Sequence, residues 1–205
     1  DLVCLQEVDR LVKRSSFDDQ PRLLGNSLNL LSHYQSNVSV AAGTYGNLIL
    51  SKWPIASAHR ISLKRRKRKS RGAQLVHIET PRGILHLVNT HLGLDERERH
   101  WQMDYLLQHQ LFQSYATLPT VIVGDFNDWR NTLGNAALAS KGFRQVTTPT
   151  SRFRSFPSWL PVGGLDKMFM SEGMQSNQAR VVRTSLAREA SDHLPVVVDF
   201  TISAS

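Results

Sequence analysis

Apolar residues along this chain fall into short runs that are separated by glycine, proline and charged residues. The continuous apolar run that starts at Leu2 is typical of a strand buried on both faces. Pro81-Arg82-Gly83 lies between two further runs and is typical of a hairpin turn. The other runs and alternating patterns predict short strands at residues 38–42, 47–51, 55–63, 74–79, 84–89, 120–123, 165–170, 179–183 and 196–202.

Helical signals occur at three places. Pro21 suits the first turn of a helix, Asp95 is a capping residue in front of apolar residues at helical spacing, and Gly142 suits a helix end. The predicted helices cover residues 20–31, 96–115 and 131–141. Residues 152–161 are aromatic and basic without a period, which predicts a loop. Many short strands with few helices predict either two packed sheets flanked by helices or a mixed-sheet α+β domain.

Composition limits the protein class. The chain has 205 residues, of which 40% are hydrophobic, and this is enough for the core of one globular domain. No apolar run approaches the roughly 20 residues of a membrane-spanning helix. A single cysteine, Cys4, excludes an internal disulfide and a cysteine-based zinc site.

The positive charge is concentrated in one segment. The net charge is +8, and seven of the 25 basic residues lie within residues 64–71, which leaves 18 basic residues against 17 acidic ones elsewhere. This basic loop is either a solvated turn between two strands or a contact for a polyanionic partner, namely nucleic acid or an acidic membrane surface.

Polar side chains stand at the ends of several predicted strands, where an ordinary strand would simply turn. Rigid strands that hold ionisable groups around a common space are typical of an active site. Four such groups follow a strand and a fifth precedes one: Gln6-Glu7, Asn89-Thr90-His91, Asp125-Phe126-Asn127-Asp128, Asp166, and Ser191-Asp192-His193.

The chemical character of these groups indicates a phosphate ester substrate. Carboxylate and amide oxygens suit Mg²⁺, Mn²⁺ or Ca²⁺ better than Zn²⁺, and Mg²⁺ usually completes its coordination with water and phosphate oxygens. The sequence contains neither a glycine-rich phosphate loop nor a nucleophile-elbow serine. Direct attack by water is therefore the simpler reaction.

The order of these groups carries a resemblance to a known family. Leu5-Gln6-Glu7-Val8, Asn89-Thr90-His91-Leu92, Gly124-Asp125-Phe126-Asn127-Asp128, Leu165-Asp166-Lys167 and Ser191-Asp192-His193-Leu194-Pro195 resemble the successive motifs of the endonuclease/exonuclease/phosphatase superfamily, which has the DNase I and exonuclease III fold. The segments Gly124–Trp129 and Ser155-Phe156-Pro157-Ser158, which lies ahead of Leu165-Asp166, are similar to a bacterial branch of uncharacterised metal-dependent hydrolases. The resemblance covers nearly the whole chain. It implies an α+β, four-layer α/β-sandwich of two packed mixed β-sheets flanked by helices, and a single catalytic domain over residues 1–205.

The resemblance also implies residue roles at a metal-dependent site. Glu7 is expected to be the principal metal ligand, with Asp192 at or just behind the metal, and Mg²⁺ or Mn²⁺ is the expected cofactor. His193 is expected to act as a general base or to stabilise the attacked phosphate. Asp166 is expected to form a hydrogen bond with His193 and to raise its pKa.

The remaining motif residues are expected to handle the water and the phosphate. Asp125 is expected to position or deprotonate the attacking water, and Asn127 to form a hydrogen bond with the pentacovalent phosphorane. Asn89 and His91 are expected to contact the scissile phosphate.

One departure from the family pattern affects the metal site. The family begins with a strand that carries an Asn metal ligand, and this chain starts too late to contain that strand. We expect that the sequence is a fragment, in which case upstream residues complete the site. Otherwise metal binding is weak and strand 2–6 has an unpaired edge. A cytoplasmic location is favoured, and a signal peptide upstream of Asp1 is left open.

Four further residues are candidates for substrate binding. Arg71 either clamps a phosphate or belongs to a solvated basic run. Arg152, Arg154 and Trp159 lie in a loop that alternates cations with aromatics, which suits stacking on bases or insertion into lipid headgroups. The alternative for this loop is a packed structure with Phe156 and Trp159 buried.

Together these features predict a monomeric, divalent-metal-dependent phosphodiesterase or nuclease that uses water to cleave a phosphate ester. The basic loop favours nucleic acid, but a phospholipid or inositol-phosphate phosphoesterase on the same fold is an alternative, since the fold does not fix the substrate. A non-catalytic module that binds polyanions is the alternative of a different class, if the metal site is incomplete.

Overall fold

Strands make up most of the regular structure of this computed structural model, which describes residues 1–202 and all of their side chains except those of residues 135 and 136. In chain order the strands are β1 (Leu2–Arg10), β2 (Leu31–Val40), β3 (Gly43–Ser51), β4 (Ile55–Ser62), β5 (Gly72–Thr80), β6 (Gly83–His91), β7 (Thr120–Asp125), β8 (Arg144–Gln145), β9 (Asp166–Met170), β10 (Met174–Val181) and β11 (Val196–Ile202).

The helices are short except for one. They are α1 (Gln20–Leu28), α2 (Glu96–Gln108), α3 (Gln110–Gln113) and α4 (Ser185–Ala190). The Asp95 side chain caps α2, as predicted, by accepting a hydrogen bond from the Glu98 amide. None of the helices in residues 1–202 is long and apolar enough to cross a membrane.

Several predicted boundaries are wrong for identifiable reasons. Helix α1 ends before residue 31 because Asn29 adopts a left-handed backbone (φ 52°). The predicted helix 96–115 is broken at His109, whose extended backbone ends α2 and whose Nδ1 accepts a hydrogen bond from the Leu111 amide. Residues 131–141 contain only a π-helical turn, Gly134–Leu138, and a 3₁₀ turn, Ala139–Lys141.

The strands form one large sheet and two smaller ones. The large sheet has the order β4-β5-β6-β7-β9-β8, and the smaller sheets have the orders β1-β3-β2 and β10-β11. In the large sheet β6 and β7 are parallel and the other pairs are antiparallel. Strand β1 pairs only with β3 among the strands of residues 1–202, so its other edge has no strand partner there.

Hydrophobic cores lie on both faces of the large sheet. On one face Met103 and Leu106 of α2 pack against strand residues such as Val88. On the other face the buried residues of the large sheet contact residues of the smaller sheets, which include Ile49, Met174 and Ile202. Leu24 of α1 packs on Leu48 beneath the smaller sheet. The layers are therefore helix, sheet, sheet and helix, which confirms the predicted α+β sandwich.

Candidate active site

Three neighbouring strands of the large sheet bring three of the predicted site residues together at one end of the sheet. Strand β7 lies parallel to β6, so that His91 is the register partner of Asp125. Strand β9 lies antiparallel to β7 and places Asp166 opposite Asp125 on the other side. Strand pairing alone therefore aligns an imidazole and two carboxyl groups that are distant in the sequence.

Gly124 makes the close approach of β6 and β7 possible at this point. Its φ of +140° is one that residues with a side chain rarely adopt. An added Cβ atom would lie 1.8 Å from the carbonyl oxygen of Thr90 on the neighbouring strand. A glycine directly before Asp125 is therefore a steric requirement of the site.

His193 is held by Asp166, as predicted. The loop before β11 places the His193 Nδ1 2.8 Å from Oδ2 of Asp166. The same carboxylate oxygen accepts a hydrogen bond from the buried hydroxyl of Ser155. Nε2 of His193 faces Oδ2 of Asp125 at 4.0 Å. Asp166 therefore fixes the orientation of the His193 ring, and the free nitrogen of that ring points toward Asp125.

A second imidazole, that of His91, contacts the other side of Asp125. The buried guanidinium of Arg71 lies with Nη1 3.0 Å from Nδ1 of His91. Arginine has no acceptor, so Nδ1 of His91 is unprotonated and accepts this hydrogen bond. The proton of the neutral ring then lies on Nε2, which faces Oδ2 of Asp125 at 3.3 Å. Arg71 thus fixes the tautomer of His91.

The environment shifts the pKa values of these groups in different directions. Burial, and next the charge of Asp166, raise the pKa of Asp125 to about 6. Burial and the nearby cations, above all Arg71, lower the pKa of His91 to about 2, in agreement with its neutral tautomer. Burial alone lowers the pKa of His193, but the hydrogen bond to Asp166 and the surrounding carboxylates outweigh it and raise the pKa to about 9. At neutral pH the site therefore combines an Asp125 carboxylate with a neutral and a protonated imidazole.

Glu7 is directed by an irregularity in β1. The register between β1 and β3 shifts between Leu5 and Val8, and Glu7 has a left-handed φ of 55° within this bulge. Bulges and such backbone conformations turn a side chain away from the regular strand and occur at functional sites. The Glu7 Oε1 lies 3.2 Å from Nζ of Lys69 and 3.6 Å from Nη1 of Arg71. Arg71 thereby links Glu7 to His91 and Asp125.

Asn127 lies at the end of the same motif as Asp125, with a left-handed φ of 50°. Its backbone amide donates to Oδ1 of Asp125 at 2.8 Å, and its side-chain nitrogen donates to the Leu92 carbonyl at 3.0 Å. An amide nitrogen has two hydrogens. The second hydrogen of Asn127 is the one that can donate to a bound phosphate.

The sequence of the chain matches the model of the Endonuclease/Exonuclease/phosphatase family over residues 1–193. This chain belongs to that family. The members of the family are phosphoester hydrolases, and they generally use divalent metals. The motif order that resembled this superfamily is therefore confirmed as a family relationship.

Proteins similar to this family member come from several bacteria. The uncharacterized protein YbhP of Escherichia coli is 27% identical over 208 residues, which cover 96% of this chain and 81% of YbhP. An endonuclease/exonuclease/phosphatase crystal structure from Beutenbergia cavernae has a TM-score of 0.78 at 21% identity, and covers 99% of this chain. The chain spans 63% of the length of that protein. The mannosyl-6-phosphatase of Bacteroides thetaiotaomicron has a TM-score of 0.74 at 18% identity, covering 98% of this chain and 85% of that one.

The predicted phosphate contact of Asn89 does not fit the structure of this family member. Asn89 is fully buried, and its side-chain nitrogen donates to the Leu5 and Leu48 carbonyls and to Oε1 of Gln74. Its side-chain oxygen accepts from Nε2 of Gln6 at 2.7 Å. These bonds hold the strand that precedes Glu7, so we correct the role of Asn89 from phosphate contact to positioning.

The three loop candidates for substrate binding lie outside the hydrogen-bonded cluster. The guanidinium of Arg152 lies over the Phe153 ring. Arg152 and Asn177 of β10 both line a depression in the surface. The Arg154 side chain is exposed, and Trp159 is 73% exposed. The alternative of a packed loop with Trp159 buried is therefore wrong.

Two residues with evident contacts in the site were not among the predicted ones. Ser155 donates to Asp166, and Lys69 contacts Glu7. Ser155 belongs to the segment Ser155-Phe156-Pro157-Ser158, which is similar to the bacterial branch but had no role assigned to it. Lys69 is one of seven basic residues in a run, and no pattern distinguished it from its neighbours.

The donor set of the site suits a hard cation that takes few protein ligands. Within residues 1–202, no three His, Cys, Asp or Glu side chains lie together so as to hold a metal ion by themselves. Glu7 is partly exposed and Asp192 is exposed, so each has carboxylate oxygens open to solvent. Mg²⁺ commonly binds to one or two carboxylates and takes its other ligands from water and phosphate. The residues present fit such an ion.

Proposed function

We propose that this protein is a divalent-metal-dependent phosphodiesterase that cleaves a phosphate ester by in-line attack of water. The observation that carries the proposal is the position of Asp125 between two imidazoles of opposite character. Oδ2 of Asp125 is 3.3 Å from Nε2 of neutral His91 and 4.0 Å from Nε2 of His193. A purely structural carboxylate does not require this arrangement.

Asp125 is the proposed general base. A carboxylate with a pKa raised to about 6 is a better proton acceptor than an ordinary one and is still ionised at neutral pH. The attacking water transfers a proton to Asp125 as its oxygen bonds to phosphorus. The ester oxygen leaves on the opposite side with the electrons of the broken bond. The hydrogen bond from the Asn127 amide to Oδ1 and the contact of His91 with Oδ2 keep Asp125 oriented during this step.

His193 and Arg71 are the proposed stabilisers of the phosphate charge. The raised pKa of His193 keeps its ring protonated at neutral pH, so that it acts as a cation toward a non-bridging oxygen. This favours the stabilising role of His193 over that of general base. Arg71 has a buried Nε without a hydrogen-bond partner in the described structure, and it therefore has a donor to offer. Asn127 is proposed to add its free amide hydrogen.

Glu7 and Asp192 are the proposed metal ligands. A bound Mg²⁺ or Mn²⁺ would supply positive charge to the phosphate oxygens and help to orient the water. Lys69 and Arg71 also place positive charge beside Glu7. The hydrolase activity of the family supports the proposal. That this chain requires a metal ion is itself part of the proposal.

The test is hydrolysis of bis-p-nitrophenyl phosphate with Mg²⁺ or Mn²⁺. We expect turnover by the wild type and a loss of at least about a hundredfold in His193→Ala and Asp125→Asn, since general base and charge stabilisation each contribute about that much. Asp104→Asn, an exposed acid on α2, serves as the matched control and should be unaffected. If folded wild type shows no turnover with either metal, the alternative of a non-catalytic polyanion-binding module is favoured.

A further inference from the structure

A group of exposed apolar side chains, which we name the apolar rim, lies beside His193. In residues 1–202 nine large hydrophobic side chains are more than half exposed. Five of the nine form the rim: Trp129, Trp159, Leu160, Val162 and Leu186. Exposed hydrophobic residues that stand singly are ordinary, whereas grouped ones mark interaction surfaces. The grouping therefore indicates that the rim is an interaction surface.

Two residues of the rim lie at the tip of a closed loop. The Gly163 amide donates to the Phe156 carbonyl at 2.8 Å, and the Phe156 amide donates to the Gly163 carbonyl at 3.1 Å. Trp159 and Leu160 lie at the tip of this loop, where they are 73% and 56% exposed. The backbone thus holds an indole and an isobutyl group out in the solvent.

Direct contacts join the rim to the site. The Phe156 ring lies 4.7 Å from the His193 ring and 6.1 Å from the Trp129 ring, measured between centroids. The Ser158 amide donates to the Asp192 carbonyl at 2.7 Å. The Ser158 hydroxyl lies 3.4 Å from the Arg188 carbonyl on α4, the helix that carries Leu186. Whatever binds the rim is therefore held next to the proposed phosphate position.

The charges around the rim are mainly positive. Arg154, Arg183 and Arg188 are exposed, and none of them forms an ion pair with another described residue. Arg183 donates to the Arg154 carbonyl at 3.1 Å, which ties β10 to the rim loop. Glu189 and Asp192 are the acidic residues on the same segments. Exposed apolar tips beside unpaired arginines match a lipid surface with anionic headgroups.

We propose that the apolar rim docks this protein on the surface of an anionic phospholipid bilayer, with His193 facing phosphoesters at that surface. Trp159 and Leu160 enter the boundary between headgroups and acyl chains, while the three arginines contact lipid phosphates. The docking itself does not depend on catalysis. The identity of the substrate as a membrane phosphoester rests on the proposed function.

The test is co-sedimentation of the full chain with large vesicles of phosphatidylcholine, with and without about one-third phosphatidylglycerol. We expect binding to the anionic vesicles and a loss of at least about tenfold in the partition coefficient for W159A/L160A, because the variant removes the apolar surface that the two side chains bury in the bilayer. Leu186→Ala tests the rim independently on another element. The double variant F17A/L28A removes an exposed aromatic and an exposed leucine from other segments and should bind like the wild type.

Binding and hydrolysis are read out separately. His193→Ala is expected to bind vesicles as the wild type does. A wild type that hydrolyses the soluble ester without binding anionic vesicles overturns the docking alone, and one that binds vesicles without hydrolysing any ester overturns the proposed function alone. Equal vesicle binding by the wild type and W159A/L160A also refutes the docking. The docking is also refuted if the protein binds a single-stranded oligonucleotide but not vesicles, and if that binding depends on Trp159. The rim would then be a surface for stacking on bases.

Discussion

The Asp166→Asn variant tests the charge state of the site most directly. Asp166 accepts the hydrogen bond from Nδ1 of His193 at 2.8 Å, and it is the main group that raises the His193 pKa. The rise from 6.5 to about 9 corresponds to about 3 kcal/mol in favour of the protonated ring. Without the Asp166 charge, burial of the ring dominates. We expect the His193 pKa in the variant to fall to about 6.5 or below.

The assay is an NMR titration of the His193 ring, with the signal assigned from the His193→Ala spectrum. Asp192→Asn is the comparison variant, because Asp192 raises the His193 pKa only through its charge and ranks last among the causes. We expect a smaller fall in that protein. An Asp166→Asn pKa that stays near 9 would contradict the assignment of Asp166 as the group that keeps His193 protonated.

The same shift has a consequence for stability. The folded-state pKa of His193 lies above its unfolded value, so its contribution to the free energy of unfolding is complete below about pH 6.5. This contribution is lost as the pH rises through about 9. In Asp166→Asn the decline in stability between these values should be reduced. Urea denaturation at several pH values measures it, and an unchanged pH dependence would refute the linkage.

Further predictions concern the other groups of the site. Asp125→Asn removes a buried carboxyl group whose pKa is raised to about 6. We expect the variant to lose hydrolysis and, in urea denaturation at pH 7, to have a free energy of unfolding higher by about 1–3 kcal/mol. A variant less stable than the wild type would contradict this. Gly124→Ala places a Cβ against the Thr90 carbonyl, and we expect a loss of at least about 2 kcal/mol in the same measurement, whereas a stability equal to the wild type refutes the steric requirement. Arg71→Lys cannot reproduce the planar donor to His91, and hydrolysis of the soluble ester should fall about tenfold or more at unchanged stability; full activity argues against the role of Arg71. Dialysis against EDTA should remove activity but leave the circular dichroism spectrum intact, and Mg²⁺ or Mn²⁺ should restore turnover; activity that survives EDTA contradicts the metal requirement.

The sequence alone predicted those site residues that belong to a short local pattern typical of an active site. The apolar run that ends in Asp125 predicted both β7 and the polar end that carries the site. Glu7 lies within β1 and Asp166 is the first residue of β9, so their predicted places at the ends of strands are wrong. The resemblance to the family implied the pairing of Asp166 with His193 and its effect on the His193 pKa. The predicted Asn89 role was wrong, since a strand-end asparagine looks the same in sequence whether it faces the site or the interior.

Element boundaries depended on backbone details that single residues decide. Asn29 ends α1 by adopting a left-handed conformation, and His109 interrupts the predicted long helix by capping the next turn with its own ring. Neither residue is a strong helix breaker by type. Helical periodicity therefore extended both predictions past the true ends.

The spacing of apolar and polar residues predicted most of the strands in their order along the chain and the set of ionisable groups beside them, and the resemblance to the family predicted the four-layer sandwich. Which of these groups touch depends on the tertiary structure. The parallel pairing of β6 with β7 places His91 against Asp125, and the loop before β11 carries His193 to Asp166. The tertiary structure also buries Arg71 beside His91, whereas Lys64, Arg66, Lys67 and Arg68 of the same run are exposed, and it leaves Trp159 exposed. Such outcomes depend on distances between residues far apart in the chain, and local residue patterns do not encode those distances.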